Sequence, residues 1–144
     1  VAREIAPKLG YYKPAQIHSK FLPALQRGEK MSASKPNTAI FTTDEPEVAE
    51  KKIKSAFTGG RDTIEEHRKH GGNPDVDSAF QYLYMILEED DKKISEIEED
   101  YRAGNLLSGE LKQIAAEKTK VFLKEHQRKR ESAKKTFDKF ILRD

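Results

Sequence analysis

The chain has 144 residues, of which 36% are charged and 35% hydrophobic, and its formal net charge is +2 at pH 7. This composition is typical of a soluble, helix-rich protein and leaves room for one domain with a short additional piece. Because the sequence contains no cysteine, it excludes disulfides, thiolate zinc sites and cysteine nucleophiles, and it suits a reducing, cytoplasmic location. No apolar run approaches the roughly 18 residues of a membrane-spanning helix, so we expect no membrane partner.

The charges are distributed unevenly along the chain. Residues 88–101 contain eight acidic and two basic side chains, whereas residues 118–144 contain ten basic and four acidic ones. Clustered lysine and arginine bind nucleic acid with release of counterions, so the basic end favours a polyanionic partner. A solvated helix face with no partner explains the same pattern.

Residues 1–43 predict a short α/β tail. Apolar Val1, Ile5 and Leu9, with Gly10 behind them, indicate the end of an amphipathic helix. Residues 15–19 are predicted to form a strand, and residues 40–41 a second strand-like pair. A parallel strand needs neighbours for its backbone hydrogen bonds, and the first residue is not Met. We therefore expect a piece of a longer protein whose sheet lies upstream.

Residues 28–37, with the sequence GEKMSASKPN, predict a phosphate-binding loop, here called the Lys30 loop. Lys30 and Lys35 supply positive charge, while Ser32 and Ser34 supply hydroxyl and backbone donors. No apolar periodicity draws the segment into a core. The alternative is an ordinary solvated surface loop.

Five helices are predicted after residue 43 from their end signals. The expected starts are Thr43 to Pro46, Thr63 with Glu66 as a capping box, Asp75 or Asp77, Asp90 or Asp91, and Ser108. The expected ends are Gly59-Gly60, Gly71-Gly72, Gly104 and about Leu142.

Apolar spacing predicts that these helices pack as a bundle. The residues expected to face the core are Val48, Ala49, Ile53, Ala56, Phe57, Phe80, Leu83, Tyr84, Ile86, Leu87, Ile94, Ile97, Tyr101, Leu111, Ile114, Ala115, Phe122, His126, Ala133, Phe137, Phe140 and Ile141. On the last helix the residues expected to face outward are Lys120, Lys124, Arg128, Lys135 and Lys139. These could follow a phosphate backbone, or they could complement the helix macrodipole.

Several blocks of sequence resemble a known family. The order Lys-Met-Ser-Ala-Ser at residues 30–34 resembles the KMSKS signature of class I aminoacyl-tRNA synthetases. Residues 56–68 (AFTGGRDTIEEHR), 71–77 (GGNPDVD) and 107–112 (LSGELK) are similar to the archaeal and eukaryotic branch of the tryptophanyl-tRNA synthetases. Together the blocks extend the resemblance over essentially the whole chain.

The resemblance implies the C-terminal part of such an enzyme. Residues 1–43 would be the end of a Rossmann catalytic domain, and residues 44–144 a helical anticodon-binding domain. The chain has no HIGH-type motif and no tryptophan pocket, so we expect it to be inactive alone. The fold expected is mainly α, with the helical bundle preceded by the α/β tail.

The resemblance also assigns roles to the Lys30 loop. Lys30 would be catalytic, and Lys30, Met31, Ser32 and Ser34 would bind ATP. In amino-acid activation a carboxylate attacks the α-phosphate and pyrophosphate leaves, so catalysis depends on positioning and on neutralising the charge that grows on the phosphates. Ala33 stands where the general signature has its second lysine, and Lys35 is a candidate substitute.

For the anticodon, the expected residues are Arg61, Asp62 and Lys112. Arg61 can stack on a base or bond it with its forked guanidinium, and Asp62 can accept from a cytosine amino group, which the tryptophan anticodon supplies. Lys112 is added from the resemblance alone. Gly59 and Gly60 would let RNA approach the backbone, or they would only cap helices.

Other candidates are weaker. His67 and His70 lie three residues apart, but no further ligand completes a set, so we expect no protein-bound metal. Residues 90–100 are acidic without the spacing of an EF-hand. His18 and His126 are expected to be packed or capping residues.

The function expected is therefore ATP-dependent attachment of tryptophan to tRNA(Trp). ATP with Mg²⁺, tryptophan and tRNA(Trp) would be the partners of the intact enzyme, which the resemblance implies is a homodimer. One alternative is a fragment of a tyrosyl-tRNA synthetase. The other, from a different class, is a freestanding helical RNA-binding module.

Overall fold

The structure, a computed structural model, describes residues 1–141. Its α-helices are α1 (Ala2–Ile5), α2 (Pro46–Lys54), α3 (Ile64–His70), α4 (Ser78–Tyr82), α5 (Asp91–Ala103) and α6 (Ser108–Lys134). A π-helical turn, Leu83–Leu87, continues α4, and short 3-10 turns lie at Ala6–Leu9, Pro36–Thr38 and Phe137–Phe140. The prediction of a mainly helical chain is confirmed.

The predicted strands do not form. Neither residues 15–19 nor residues 40–41 are strands, and the described residues contain only one isolated bridge, between Ser32 and Lys35. Ile17 is fully exposed, because no neighbouring strand in residues 1–141 offers backbone partners or an apolar face. The predicted glycine stop is confirmed, since Gly10, with a φ of 78°, ends the 3-10 turn Ala6–Leu9 that follows α1.

Side-chain caps begin three of the helices as predicted. The Thr63 hydroxyl accepts a hydrogen bond from the Glu66 N–H at 3.1 Å, and Asp77 rather than Asp75 accepts from the Phe80 N–H at 3.1 Å. Asp90 rather than Asp91 accepts from the Lys92 N–H at 3.0 Å. Each carboxylate or hydroxyl satisfies one of the orphan donors of the first turn.

The prediction that Ser108 caps α6 is wrong. The residue before the helix is Leu107, whose N–H donates to the Glu110 carboxylate at 2.7 Å. Ser108 lies inside the first turn, where its hydroxyl is 2.9 Å from the Tyr101 hydroxyl. A tertiary hydrogen bond has therefore taken the side chain that the local pattern assigned to capping.

Two helices end earlier than predicted. Helix α2 ends at Lys54 rather than at Gly59-Gly60, which leaves residues 55–62 as a loop. Helix α6 ends at Lys134, and the predicted end at Leu142 lies outside the described residues.

The core lies where α2 and α4 pack against α6, with α5 closing one side. Its buried members are Ile53, Ala79, Phe80, Leu83, Ile94, Tyr101, Leu111, Ala115 and Ala116, and a second cluster joins Leu25 to Ala56 and Tyr82. Leu25 belongs to the tail, so the tail packs directly against the bundle.

Several residues expected in the core are exposed. They are Val48, Tyr84, Ile86, Phe122, Ala133, Phe137, Phe140 and Ile141. On α6 the buried stripe ends at Leu123, and residues 128–134 are all exposed. His126 is half-buried against Phe122, with ring centroids 6.1 Å apart, and is not a core residue.

Candidate nucleotide loop and RNA-side cavity

The Lys30 loop is a compact turn at its base. The Ser32 N–H donates to the Thr38 hydroxyl at 3.0 Å, and that hydroxyl donates to the Lys35 carbonyl at 2.7 Å. The Lys35 N–H donates back to the Ser32 carbonyl at 3.1 Å. Because Thr38 is buried, its hydroxyl partly shields these bonds from water and stabilises the base of the turn.

Lys30 and Met31 lie on the open side of this turn. Both line a cavity of about 610 Å³ together with residues 21–24 and Glu29. The cavity thus combines one ammonium with an apolar wall of Phe21, Leu22, Pro23 and Ala24. The Glu29 carboxylate lines the same cavity. An ammonium beside an apolar wall suits a ligand with a phosphate and a flat ring.

The two serines of the loop are placed differently. Their hydroxyls lie 2.8 Å apart and bond each other, with Ser32 half-buried and Ser34 exposed. Neither lines the cavity of Lys30. Lys35 forms an exposed ion pair with Glu29 at 3.4 Å, so its ammonium is directed to a carboxylate of the loop itself.

The N-terminal side of the loop is attached to the bundle through Leu25. Its N–H donates to the Thr38 carbonyl at 2.9 Å, and its own carbonyl accepts from the Phe57 N–H at 2.7 Å. The Ser78 hydroxyl lies 3.2 Å from the Leu25 carbonyl and 3.2 Å from the Ala24 carbonyl. The loop therefore starts from a buried, fully bonded segment.

The C-terminal side is attached by Lys52. Its buried ammonium donates to Asp44 at 2.6 Å and to the Ala39 carbonyl at 3.1 Å, and it lies 4.8 Å from the centroid of the Phe41 ring. The amide of Gln127 on α6 donates to the Thr42 and Asp44 carbonyls at 3.1 and 2.9 Å. A buried ammonium of this kind is stable only when it is paired and hydrogen-bonded, as it is here.

The segment Thr58–Asp62 is organised by the buried carboxylate of Asp77. One oxygen, Oδ2, accepts from the Thr58 hydroxyl at 2.9 Å, the Gly59 N–H at 2.8 Å and the Tyr101 hydroxyl at 2.9 Å. The other oxygen caps α4 through the Phe80 N–H. A fully buried carboxylate needs such donors, so Asp77 fixes the start of the segment.

Tyr101 is the second member of this network. It is completely buried, and its hydroxyl also contacts Ser108 at 2.9 Å and Thr58 at 3.2 Å. Burial, followed by the negative charge of Asp77, raises the pKa of Tyr101 to about 12. The phenol is therefore held in its neutral, donating form.

Gly59 and Gly60 are required by packing. A Cβ on Gly59 would lie 1.9 Å from the Asn73 carbonyl oxygen, and one on Gly60 would lie 2.0 Å from the Ser108 hydroxyl. These contacts give both glycines a structural reason to be there. The predicted role of these two glycines in ending α2 is wrong, because α2 ends at Lys54.

Arg61 and Asp62 are exposed and line one open cavity of about 400 Å³. Its other walls are formed by Thr63, Ile64, His67 and residues 107–110 at the start of α6. The Arg61 Nε–H donates to the Gly71 carbonyl at 3.0 Å, which orients the guanidinium while leaving its terminal nitrogens for a ligand. The volume lies in the range of small-ligand sites, about 300–1,000 Å³.

The buried ring of His67 forms part of the floor of this cavity. Its Nε2 is 2.9 Å from the Leu106 carbonyl, and its ring packs against Tyr101 at 5.1 Å between centroids. His70, in contrast, is exposed. Within residues 1–141 no group of three or more His, Asp or Glu side chains has the arrangement to hold a metal ion.

Lys112 lies outside the cavity of Arg61 and Asp62. Its ammonium donates to the Ala56 carbonyl at 2.6 Å and the Lys54 carbonyl at 3.2 Å, at the C-terminal end of α2. Burial lowers the pKa of Lys112, although the charge of Asp77 acts in the opposite direction. Two of its three donors thus satisfy helix-end carbonyls.

The basic face of α6 is partly neutralised inside the molecule. Lys120 pairs with Glu50 at 2.8 Å, and hydrogen bonds from Lys120 and then Lys54 lower the pKa of Glu50 to about 2. Lys118 pairs with Glu88 at 2.9 Å. Among the described residues, no ion pair within 4.0 Å involves Lys124, Arg128, Lys135 or Lys139, and all four are exposed.

None of the helices in the described part of the chain is long and apolar enough to cross a membrane.

An anchored lysine loop on a helical bundle, with a second cavity at the start of α6, has counterparts among known proteins. The family model described as tRNA synthetases class I (W and Y) matches residues 1–124, and the chain belongs to that family. More particularly, it is 63% identical over 140 residues to a tryptophan–tRNA ligase of Sulfurisphaera tokodaii. The resemblance seen in the sequence is thereby confirmed.

Solved structures give the same result for the fold. A crystal structure of tryptophanyl-tRNA synthetase from Aeropyrum pernix matches 92% of the chain with a TM-score of 0.85 and 43% identity. A tyrosyl-tRNA synthetase from Aeropyrum pernix matches 86% with a TM-score of 0.71 and 28% identity. The tyrosyl alternative is thus less well supported.

The match covers only part of those proteins. The chain aligns over 96% of its own length but over 37% of the Sulfurisphaera protein, and it covers 37% of the Aeropyrum tryptophanyl structure. The chain spans little more than a third of the relatives it matches.

Sequence analysis missed Lys52 and Ser78 and saw Asp77 only as a cap. Lys52 carried a signal, because it lies on the apolar stripe of α2 with Ala49, Ile53 and Ala56, where a charge is unexpected. Ser78 carried none, since its partners are more than 50 residues away in sequence.

Proposed function

We propose that this chain is part of a tryptophan–tRNA ligase, in which it supplies the pyrophosphate side of ATP activation and the site for the tRNA(Trp) anticodon. The observation that supports this most directly is the 63% identity to such a ligase, in an alignment that covers 96% of the chain. The alternative of a freestanding RNA-binding module gives no reason for an anchored lysine loop.

In this proposal Lys30 is the catalytic residue. Attack of the tryptophan carboxylate on the α-phosphate forms the adenylate and expels pyrophosphate, on which negative charge accumulates. The exposed Lys30 ammonium can meet that charge as it develops, which lowers the barrier more than equal binding of ATP would. Met31 contributes the apolar wall of the same cavity.

Ser32 and Ser34 serve the phosphates in the same proposal. Their two hydroxyls share one hydrogen bond with each other. When the loop closes on ATP, each hydroxyl can rotate and donate to a phosphate oxygen instead. Lys35 would first have to leave Glu29, an exposed pair of small energy, before it could replace the lysine absent at Ala33.

On the RNA side, Arg61 and Asp62 read the anticodon. Arg61 is oriented by the Gly71 carbonyl, and Asp62 can accept from a cytosine amino group in the cavity that both line. Lys112 supports this site from beneath by holding the carbonyls of residues 54 and 56, and it has a third donor for RNA.

The same proposal includes the wider assignments. Residues 1–43 belong to the nucleotide-binding domain and residues 44–144 to the anticodon-binding domain. The intact enzyme is a cytoplasmic homodimer that uses ATP with Mg²⁺ bound to its phosphates.

The test uses the full-length protein that contains this chain. Tryptophan-dependent exchange of pyrophosphate into ATP is expected, and Lys30→Ala should lower its kcat about 100- to 1,000-fold, as for other residues that stabilise developing charge. Lys51→Ala is the matched control, because Lys51 is an exposed lysine on α2. Exchange that depends on tyrosine instead, or an unchanged rate for Lys30→Ala, would contradict the proposal.

Filter binding tests the RNA half. The protein should bind tRNA(Trp) more tightly than the same tRNA with a changed anticodon, and Arg61→Ala and Asp62→Ala should each remove about 1–3 kcal/mol of that discrimination. Lys69→Ala, an exposed cation on α3, should leave it unchanged. Equal affinity of the wild-type protein for both RNAs would overturn the anticodon assignment.

A further inference from the structure

Two adjacent residues at the start of α4 hold the two candidate sites. Asp77 bonds Thr58 and Gly59 at the head of the 58–62 segment, while the Ser78 hydroxyl bonds the Ala24 and Leu25 carbonyls at the root of the Lys30 loop. Both side chains are buried. No other serine in the described residues bonds the tail in this way.

From Ser78 a short chain of hydrogen bonds reaches the loop. The Leu25 N–H donates to the Thr38 carbonyl at 2.9 Å, and the Thr38 hydroxyl accepts from the Ser32 N–H at 3.0 Å. Ala24, Leu25 and Thr38 are all buried, whereas Lys30 itself is exposed. The position of the Lys30 ammonium therefore depends on where this buried root is held.

The root has few other supports. The Leu25 carbonyl also accepts from the Phe57 N–H, and Ser78 donates its own N–H to the Phe57 carbonyl at 3.3 Å. Phe57 precedes Thr58, so this backbone support belongs to the same stretch that Asp77 organises. The Leu25 side chain also packs in one buried cluster with Tyr82 of α4. Among the described residues, the side-chain hydrogen bonds from α4 to the root all come from the Ser78 hydroxyl.

We propose that Ser78 is a positioning residue for the Lys30 loop, setting through the Ala24 and Leu25 carbonyls the place from which Lys30 reaches the phosphates of ATP. This inference rests on the proposed function. Ser78 itself touches no substrate; it acts through the root of the loop. Loss of its hydroxyl leaves the Ala24 carbonyl without that donor and lets the root move relative to α4.

The expected consequence is a loss of turnover without a loss of amino-acid binding. Misplacement of a catalytic group by about 1 Å can cost about 100-fold in rate. In the full-length protein, Ser78→Ala should therefore lower the kcat of tryptophan-dependent exchange about 10- to 100-fold, with the KM for tryptophan unchanged. Ser55→Ala is the matched control, because the Ser55 hydroxyl donates to Lys52 at the end of its own helix.

A double-mutant cycle with Lys30 separates positioning from structure. If Ser78 acts by placing Lys30, then Lys30→Ala with Ser78→Ala should be no slower than Lys30→Ala alone. A merely structural role predicts a lower Tm and an unchanged kcat for the folded Ser78→Ala enzyme. A role in turnover that is independent of Lys30 predicts additive effects on kcat in the double variant. Either an unchanged kcat for Ser78→Ala or additivity in the cycle overturns the inference.

A second variant keeps the test valid if Ser78→Ala does not fold. Ser78→Cys fills nearly the same volume with a weaker donor, so its kcat should lie between that of the wild type and the range expected for Ser78→Ala. A kcat equal to that of the wild type would show that the inference is wrong. Failure of the proposed function looks different. In that case the wild-type protein itself shows no tryptophan-dependent exchange.

Discussion

Replacement of Tyr101 by phenylalanine tests the buried network that holds the 58–62 segment. The change removes one oxygen and keeps the ring, so the packing against His67 and the core is retained. What is lost is the hydrogen bond of 2.9 Å to the buried Asp77 carboxylate and the contact of 2.9 Å with Ser108. Asp77 keeps its donors from Thr58, Gly59 and Phe80.

The cost follows from the charge of the acceptor. A hydrogen bond to a charged group contributes about 1.5–3 kcal/mol, and three remaining donors keep Asp77 from becoming an unsatisfied buried charge. We therefore expect Tyr101→Phe to lower the free energy of unfolding by about 2 kcal/mol. For a chain of this size that corresponds to a fall in Tm of about 4–8 °C.

Urea denaturation followed by circular dichroism measures this difference. Tyr84→Phe deletes the same atom from an exposed tyrosine and should change the free energy of unfolding by less than about 0.5 kcal/mol. If the two variants are equally stable, the Tyr101 hydroxyl does not hold the network, and the reasoning fails.

The same hydroxyl predicts a dependence on alkaline pH. The pKa of Tyr101 rises from 10.0 to about 12 on folding, so between these values the unfolded chain has lost the proton and the folded chain keeps it. The contribution of the hydroxyl is complete below pH 10 and is lost as the pH rises through about 12. The difference in the free energy of unfolding between wild type and Tyr101→Phe should therefore narrow across that window.

Two further substitutions test the packing around the same segment. Gly59→Ala should destabilise the chain by about 1–3 kcal/mol, because the added Cβ would meet the Asn73 carbonyl. Gly109→Ala is the control, since Gly109 has open space around it and a helical backbone, and it should stabilise the chain by about 0.5–1 kcal/mol. Thermal unfolding compares the two variants, and equal effects would refute the packing role of Gly59. Lys112→Met should lower the free energy of unfolding, measured in urea, by about 1–2 kcal/mol, because it removes the donors to the carbonyls at the end of α2. Lys51→Met, at an exposed lysine of α2, is the control. Equal stability of the two variants would show that the carbonyl contacts of Lys112 do not stabilise the fold.

Local sequence signals were sufficient wherever the interaction is local. Thr63, Asp75 or Asp77, and Asp90 or Asp91 were predicted to begin helices. The caps that form, at Thr63, Asp77 and Asp90, each bond an N–H two or three residues away. Gly10 and Gly104 were predicted to end helices, and both have a positive φ. The two cavities likewise lie at the segments that the sequence had singled out, around Lys30 and around Arg61.

The same signals failed where a distant partner competes for a side chain. Ser108 was a good local cap, but Tyr101 takes its hydroxyl. Phe122 continues an apolar stripe, but its side chain is exposed. Residues 15–19 have strand spacing, yet a strand is stable only with a neighbour, which the described chain does not provide.

The sequence by itself determined the helical class, most helix starts and the family, because periodicity, caps and contiguous blocks are properties of neighbouring residues. Only the tertiary structure decided that Lys52, Asp77 and Ser78 hold the two candidate sites. Their partners lie 8 to 54 residues away. Such contacts depend on how the chain folds back on itself, and no local pattern records them.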